Sequence, residues 1–264
     1  MSGGTTTGGE RPVAVVTGGS SGIGAALARS LARRGWRLVL LARNEERLRA
    51  VAEETGAEHA VCDVGDRPEV ETIAARIRES HPAIKLLVNN AGIPGGAGGF
   101  LDMDPSRIEE LVRINYLGSV WCLRAFLPAL EEAAPADVVN IASVAGVIAA
   151  GESGPYSASK HAQLAFSRSV GVELAARGIT VHSVMPGLIQ TPGFPNRRRF
   201  NSAALKRIVA EPDIVAERVV RAVERGRIEQ FVPRWYRPAA IVQAVAPALV
   251  ARAARARYNS RKQA

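Results

Sequence analysis

The chain has 264 residues, 47% of them apolar and 22% charged, which suits one α/β domain with a sizeable core better than two domains. Its only cysteines, Cys62 and Cys122, stand in apolar runs without a CxxC partner or a nearby His at ligand spacing, so buried free thiols in a reducing compartment are expected and a disulfide or metal site is not. No apolar stretch reaches the ~18 residues of a spanning helix, and the start M-S-G-G-T-T-T-G-G-E lacks the basic end and apolar block of a secretory signal. The expectation is a cytoplasmic protein, at most peripheral to a membrane, with a disordered tail at residues 1–11.

The first predicted strand is V-A-V-V-T at residues 13–17, and T-G-G-S-S-G-I-G follows at once, leading into an Ala- and Leu-rich helix from Ala25 to Arg34. Strand, glycine turn and helix in that order place a helix N-terminus against a phosphate. Gly18, Gly22 and Gly24 allow the tight turn and the close approach of backbone to a pyrophosphate, with Ser20, Ser21 and Ile23 in the same loop. A second strand, Trp36 to Leu41, ends in Ala42 and Arg43, where a unit that binds NAD would carry an acidic residue for the ribose hydroxyls. An arginine there suits a 2′-phosphate, so NADP(H) is expected over NAD(H).

His59 to Val64 reads as a third strand ending near Asp63, a residue that either meets an adenine edge or terminates the strand. A helix is expected over Pro68–Ser80. I-K-L-L-V then runs into N-N-A-G, a fourth strand with Asn89, Asn90 and Gly92 at its carboxyl end, where parallel sheets bind ligands. The glycine-rich stretch Pro94 to Gly99 reads as a mobile loop, and Pro105–Phe126 as one long helix carrying Asn115, a polar residue that needs a partner inside an apolar pattern. Val138 to Ala142 is the fifth strand, with Ser143 at its end.

Tyr156 and Lys160 lie four apart in a helix expected to continue to Arg177, a spacing that stacks them on one face. An ammonium beside a phenol favours the phenolate and brings a group of pKa ~10 toward proton exchange near neutrality. Ser143 adds a hydroxyl donor toward the same carbonyl oxygen. Ser157 and Lys160 also match the S-x-x-K pattern of serine acylases, but the companion motifs S-D-N and K-T-G do not occur. Ile179 to Val184 makes a sixth strand, followed by M-P-G-L-I-Q-T. Alternating strands and helices imply a Rossmann-like, doubly wound parallel sheet.

The last third is less informative. Arg197, Arg198 and Arg199 sit in a stretch, about 188–211, that reads as a variable lid; they either greet an anionic substrate or are simply solvated. Pro212 opens a helical run, and Gln230 to Pro233 reads as a final strand. Beyond Phe231 there is no acidic residue, while Arg234, Arg237, Arg252, Arg255, Arg257, Arg261 and Lys262 are basic; these seven charges leave only +2 of the formal +9 for the rest of the chain. Residues 234–264 thus form a basic, apolar, amphipathic extension. Three placements fit it: an anionic membrane surface, a second subunit, or its own substrate pocket; a helix packed on the domain is the plainer fourth. The basic residues are not interleaved with stacking aromatics, so nucleic acid is not expected as a partner.

Taken together, T-G-G-S-S-G-I-G, N-N-A-G, Asn115, Ser143, Y-S-A-S-K and P-G-L-I-Q-T, in this order, resemble the short-chain dehydrogenase/reductase family over about Val13 to Thr191. The resemblance implies one Rossmann domain over residues 12–233. It implies Tyr156 as general acid/base, Ser143 orienting the carbonyl or alcohol, Lys160 lowering the Tyr156 pKa and holding the nicotinamide ribose, and Asn115 supporting a proton relay. It also implies Asn90, Ile189 and Thr191 along the nicotinamide half and Asp63 and Val64 near adenine. The expected reaction is hydride transfer between NADP(H) and a small-molecule carbonyl or secondary alcohol, with an apolar ketone suggested by the small residues 95–99 and by Phe100, Phe194 and Phe200. A homodimer or homotetramer is the expected assembly. The alternatives are a non-catalytic nucleotide-binding or membrane-associated scaffold of the same fold, and a relative catalysing epimerisation or dehalogenation; an intact Ser143, Tyr156, Lys160 and Asn115 argues against the scaffold, and the glycine loop against a dehalogenase.

Overall fold

Near-continuous apolar, β-branched strands are what a parallel sheet covered on both faces requires. In the computed structural model, which describes residues 11–96, 100–149, 154–190 and 209–262 (257–262 as backbone alone), these are β1 (Val13–Thr17), β2 (Arg37–Ala42), β3 (Glu58–Val61), β4 (Leu86–Asn89), β5 (Ala136–Ile141), β6 (Ile179–Pro186) and β7 (Glu229–Val232). They form a sheet in the order β3-β2-β1-β4-β5-β6-β7 with every neighbouring pair parallel. The chain winds outward from β1 to β3, returns to lay β4 beside β1, and winds the other way. The β1/β4 boundary is therefore the switch point at which such sheets bind ligands.

The connecting helices are α1 (Gly22–Ala32), α2 (Glu45–Thr55), α3 (Arg67–Ser80), α4 (Pro105–Val112), α5 (Gly118–Glu132), α6 (Gly154–Ala175) and α7 (Pro212–Glu224). Several start where a side chain satisfies an orphan amide: Asn44 accepts from Arg47 N, Asp66 from Glu69 N, and Asp104 from Ser106 N. One face of the sheet packs Leu27 and Leu31 of α1 and Val219 of α7 against Leu40 and Val88, and the other packs Val70 of α3 and Leu123 and Phe126 of α5 against Val39 and Leu87. Cys62 and Cys122 are buried free thiols in the second of these layers, and desolvation pushes the Cys62 thiol up to about 12.

Three expectations need adjustment. The third strand ends at Val61, so Asp63 and Val64 lie in the loop beyond it. The single helix expected over Pro105–Phe126 is α4 and α5 joined by a π-helical turn, Arg113–Leu117, and α5 runs on to Glu132 with Pro128 inside it. The C-terminal extension is a pair of helices, α8 (Tyr236–Val245) and α9 (Pro247–Lys262), broken at Ala246, which is followed by Pro247. Residues 191–208 of the expected lid, including Thr191, Phe194, Arg197, Arg198, Arg199 and Phe200, lie outside the described residues, as do residues 1–10 of the N-terminal tail.

Candidate active site

At the β1 end the chain must turn sharply enough to start α1 against the sheet edge. Gly18 and Gly22 do this at φ 67° and 55°, a region unfavourable to side chains. A Cβ on Gly24 would lie 2.2 Å from the Gly18 carbonyl oxygen and 2.6 Å from Asn90 Nδ2, so the loop closes only around a hydrogen atom there. Asn90 ties this loop to the β4 turn, donating from Nδ2 to the carbonyls of Thr17 (2.9 Å) and Gly18 (3.2 Å). Thr17 Oγ1 in turn accepts the Asn90 and Ala91 amides at 3.0 Å each. Ser21 is the N-cap residue of α1 without a side-chain capping bond, which leaves the first amides of the helix for an anion. A cradle that a single Cβ would fill, opening on a helix N-terminus, fits a dinucleotide pyrophosphate.

At the neighbouring strand ends, β2 and β3 bring Arg43 and Asp63 together. The half-exposed Arg43 guanidinium lies 3.9 Å from Asp63 and 3.8 Å from Glu110, while Asp63 accepts the Gly65 amide at 2.9 Å and faces Arg113 at 3.7 Å. These are long, solvated pairs, worth little and easily exchanged for a phosphate. The Val64 side chain turns into the core, where a Cβ on Gly118 would stand 2.7 Å from its Cγ2.

The reacting groups converge at the ends of β4 and β5. Ser143 caps a short 3-10 turn, Val144–Gly146, accepting the Ala145 amide at 3.1 Å, and its hydroxyl lies beside the phenol of Tyr156 near the start of α6. Burial raises the Tyr156 pKa, with the Ser143 hydroxyl pulling it back down. One turn on, Lys160 is enclosed and donates to the Ile141 carbonyl (3.0 Å) and to Gln163 Oε1 (2.9 Å); desolvation lowers it to about 7. The net direction at the phenol is thus upward, contrary to the expectation of a lowered value: burial outweighs Ser143, and the lysine hydrogen bonds run to Ile141 and Gln163.

Asn115 sits in the π-turn, where the extra residue breaks the regular ladder as it does at many functional sites. Its amide accepts from Ile93 N (2.8 Å) and donates to Ile93 O and Ser159 Oγ (3.1 Å each). Gly92 lies beside it: a Cβ there would be 3.1 Å from Asn115 Oδ1 and 3.5 Å from Lys160 Nζ. Residues that, Asn89 apart, the sequence did not mark support this set. Gln163 Nε2 donates to Ser119 Oγ (2.8 Å), and Asn89, Asn140, Ser167 and Ser183 form a buried hydrogen-bonded chain behind it. A run of polar residues on the inner face of α6 was the available signal.

After β6, Ile189 is buried and bridges Ala210. Before it, Gly187 lies directly under the Tyr236 ring, 2.1 Å from ring carbon to an ideal Cβ, and Tyr236 accepts a hydrogen bond from the Leu188 backbone. The stretch between β6 and Ile189 is therefore covered by the first residue of α8, which the sequence did not predict.

Residues 12–202 match the family model described as short chain dehydrogenase. A Streptomyces coelicolor protein named "Putative ketoacyl reductase" is 39% identical over 187 residues, covering 68% of this chain and 71% of its own length. The solved structure of a variant actinorhodin polyketide ketoreductase with NADPH superposes with a TM-score of 0.75 at 32% identity, covering 84% of this chain and 95% of that one. A short chain dehydrogenase/reductase from Burkholderia phymatum in complex with NAD shares the fold with a TM-score of 0.81 at 24% identity, covering 91% and 95% of the two chains.

Proposed function

The chain belongs to the short-chain dehydrogenase family, and on that premise we propose that it is an NADP(H)-dependent oxidoreductase interconverting a carbonyl and a secondary alcohol, with an apolar ketone as substrate and Tyr156 as general acid/base. The observation that carries the reading is the placement of the Ser143 hydroxyl beside the Tyr156 phenol, one helical turn from an enclosed lysine and at the sheet edge that holds the glycine cradle.

Two hydroxyls directed at one point can hold a carbonyl oxygen between them. When bound, a dihydronicotinamide supplies the hydride. Tyr156 delivers its proton to the oxygen as negative charge develops there, and its raised pKa keeps that proton in place at neutral pH, which favours the reductive direction. The Lys160 ammonium, one turn further along α6, offsets the charge the proton leaves. Gly92, lacking a side chain, leaves room beside Lys160 and Asn115 for the ribose end of the cofactor.

Preference for NADP(H) rests on Arg43. Likeness alone does not choose, since one similar structure holds NADPH and another NAD. Arg43 stands at the β2 end with two long carboxylate contacts that a 2′-phosphate can replace. The partners on this reading are a small-molecule carbonyl or alcohol and further copies of the chain, as a homodimer or homotetramer pairing through the helical stretches that carry Asn115 and Lys160; the exposed Val112 and Val172 on α4 and α6 support such a contact.

The test is titration with NADPH and NADH followed by a panel of apolar ketones. Tyr156→Phe is expected to bind NADPH as the parent does and to lose about 10³-fold or more in turnover. Undiminished turnover by that variant would remove Tyr156 from the chemistry.

A further inference from the structure

An apolar helix that ends a globular domain normally buries one face, and α8 does not. Its sequence is Y-R-P-A-A-I-V-Q-A-V, yet none of its residues is buried, and Ile241 (53%), Val242 and Val245 (76%) are exposed, with Leu249 (61%) beyond the break. Ile241, Val242 and Val245 fall on one helical face, and Leu249 is a further exposed apolar residue in the first turn of α9, beyond the bend. Trp235, half exposed and stacked on Tyr236 with ring centroids 3.7 Å apart, stands at the head of the same segment. Isolated apolar residues on a surface need no explanation, but a helix and its continuation presenting a row of them do.

Charge decides what covers the row. Arg234, Arg237, Arg252 and Arg255 are exposed, and none forms an ion pair with a described residue. The sequence adds Arg257, Arg261 and Lys262 and no acid after Glu229. A cavity of about 250 Å³ between β7 and the start of α8 is lined by Arg227, Arg234 and Arg237 together with Glu229, Gln230 and Phe231. A second copy docking through this surface would set like charges against each other. No single described helix is long and apolar enough to cross a bilayer; α8 and the start of α9 reach that length and composition only as a pair, bent by 111° at the break, and the arginines that follow favour a place at the surface over one across it.

We propose that α8 and the start of α9 lie in the interface of an anionic lipid membrane, with Ile241, Val242, Val245 and Leu249 among the acyl chains, Trp235 at headgroup depth and the arginines on lipid phosphates. The contact has a consequence for the candidate site. Tyr236 leads α8, covers Gly187 and holds the Leu188 amide, so a docked α8 brings the stretch between β6 and Ile189 to the membrane surface, where apolar ketones dissolve. This last step rests on the oxidoreductase reading; the docking itself does not.

The experiment is sedimentation of the full chain with phosphatidylcholine vesicles and with vesicles containing phosphatidylglycerol. Binding is expected to the anionic vesicles, to weaken steeply with salt, and to fall about tenfold or more in Ile241→Glu/Leu249→Glu. The variant's thermal unfolding midpoint, unchanged from the parent, certifies its fold without reference to any cofactor. A full chain that stays in the supernatant with anionic vesicles overturns the proposal, as does a folded variant that binds as well as the parent. So does a parent that fails to bind vesicles and dissociates to a smaller species only on the double substitution, which would assign the row to self-association. Vesicle binding by a protein that binds neither NADPH nor NADH leaves the docking standing and sinks the oxidoreductase reading alone.

Discussion

Lys160 is the residue at which burial and chemistry conflict most directly. Its ammonium is enclosed, has two acceptors, and is lowered by desolvation from the ordinary amine value to about 7. The charge that stabilises a departing Tyr156 proton is therefore present below about pH 7 and lost as pH rises through it, while the raised Tyr156 pKa keeps the phenol protonated over the same range. Reductive kcat/KM is expected to be level below that pH and to fall about tenfold per unit above it. Stability carries a related sign. Between about 7 and the ordinary value of 10.5 the unfolded chain holds the extra proton, so the folded state gains stability as pH rises across that window, and Lys160→Met is expected to flatten the profile in thermal unfolding. Gln163→Leu removes an acceptor from the ammonium, disfavours the charged form further and moves the kinetic limb to lower pH with NADPH binding unchanged; a stationary limb would mean that Gln163 only fills space. At the far end of the cofactor cleft, Arg43→Asp is expected to reverse the NADPH-to-NADH preference by about tenfold or more, measured as the ratio of the two Kd values, and an unchanged ratio would take Arg43 out of phosphate recognition.

At the scale of elements, the β1–glycine turn–α1 unit is the part whose geometry has least slack. Gly24→Ala would place a methyl against the Gly18 carbonyl and the Asn90 amide, both fixed by the pairing of β1 with β4, so the loop has to open. The expected cost is about 1–3 kcal/mol in denaturant unfolding together with a larger loss of NADPH affinity, because the displaced backbone is the one that meets the phosphates. This unit was legible in the sequence because a buried strand, a glycine turn and a helix each leave a compositional mark. The doubly wound parallel sheet, though not the order of its strands, followed from the same alternation. The π-turn at Arg113–Leu117 was not legible: one additional residue in a helix changes hydrogen bonding without changing the apolar period enough to be seen, so α4 and α5 read as one helix. Gln163 and Ser119 were missed for a related reason, since a polar residue facing inward on α6 or α5 looks in sequence like one facing out. The meeting of Arg43, Asp63 and Glu110 depends on which strands are neighbours, and Tyr236 over Gly187 joins residues 49 positions apart, beyond any local pattern.

Over the whole molecule, the core and the charge are held by different parts of the chain. The two large apolar layers draw on β1 to β7, α1 to α3 and α5 to α7, and α8 contributes nothing to either. Positive charge is concentrated where the core is not: removing residues 238–264 takes away Arg252, Arg255, Arg257, Arg261 and Lys262 and no acid, which lowers the formal charge from +9 to +4. A chain ending at Arg237 keeps Trp235 and Tyr236, and so keeps the ring over Gly187 and the acceptor for the Leu188 amide. It is expected to unfold cooperatively within a few degrees of the parent, since about 1 kcal/mol corresponds to roughly 2–4 °C for a domain of this size. NADPH affinity should be retained for the same reason, because the glycine cradle, Arg43 and Lys160 all lie on elements that precede the cut. Thermal unfolding of the shortened chain, followed with and without NADPH, reads both quantities. A midpoint lowered by much more than that, or a broad non-cooperative transition, would show that α8 and α9 are structural parts of the domain, and the exposed row on α8 would then be the outer side of a brace.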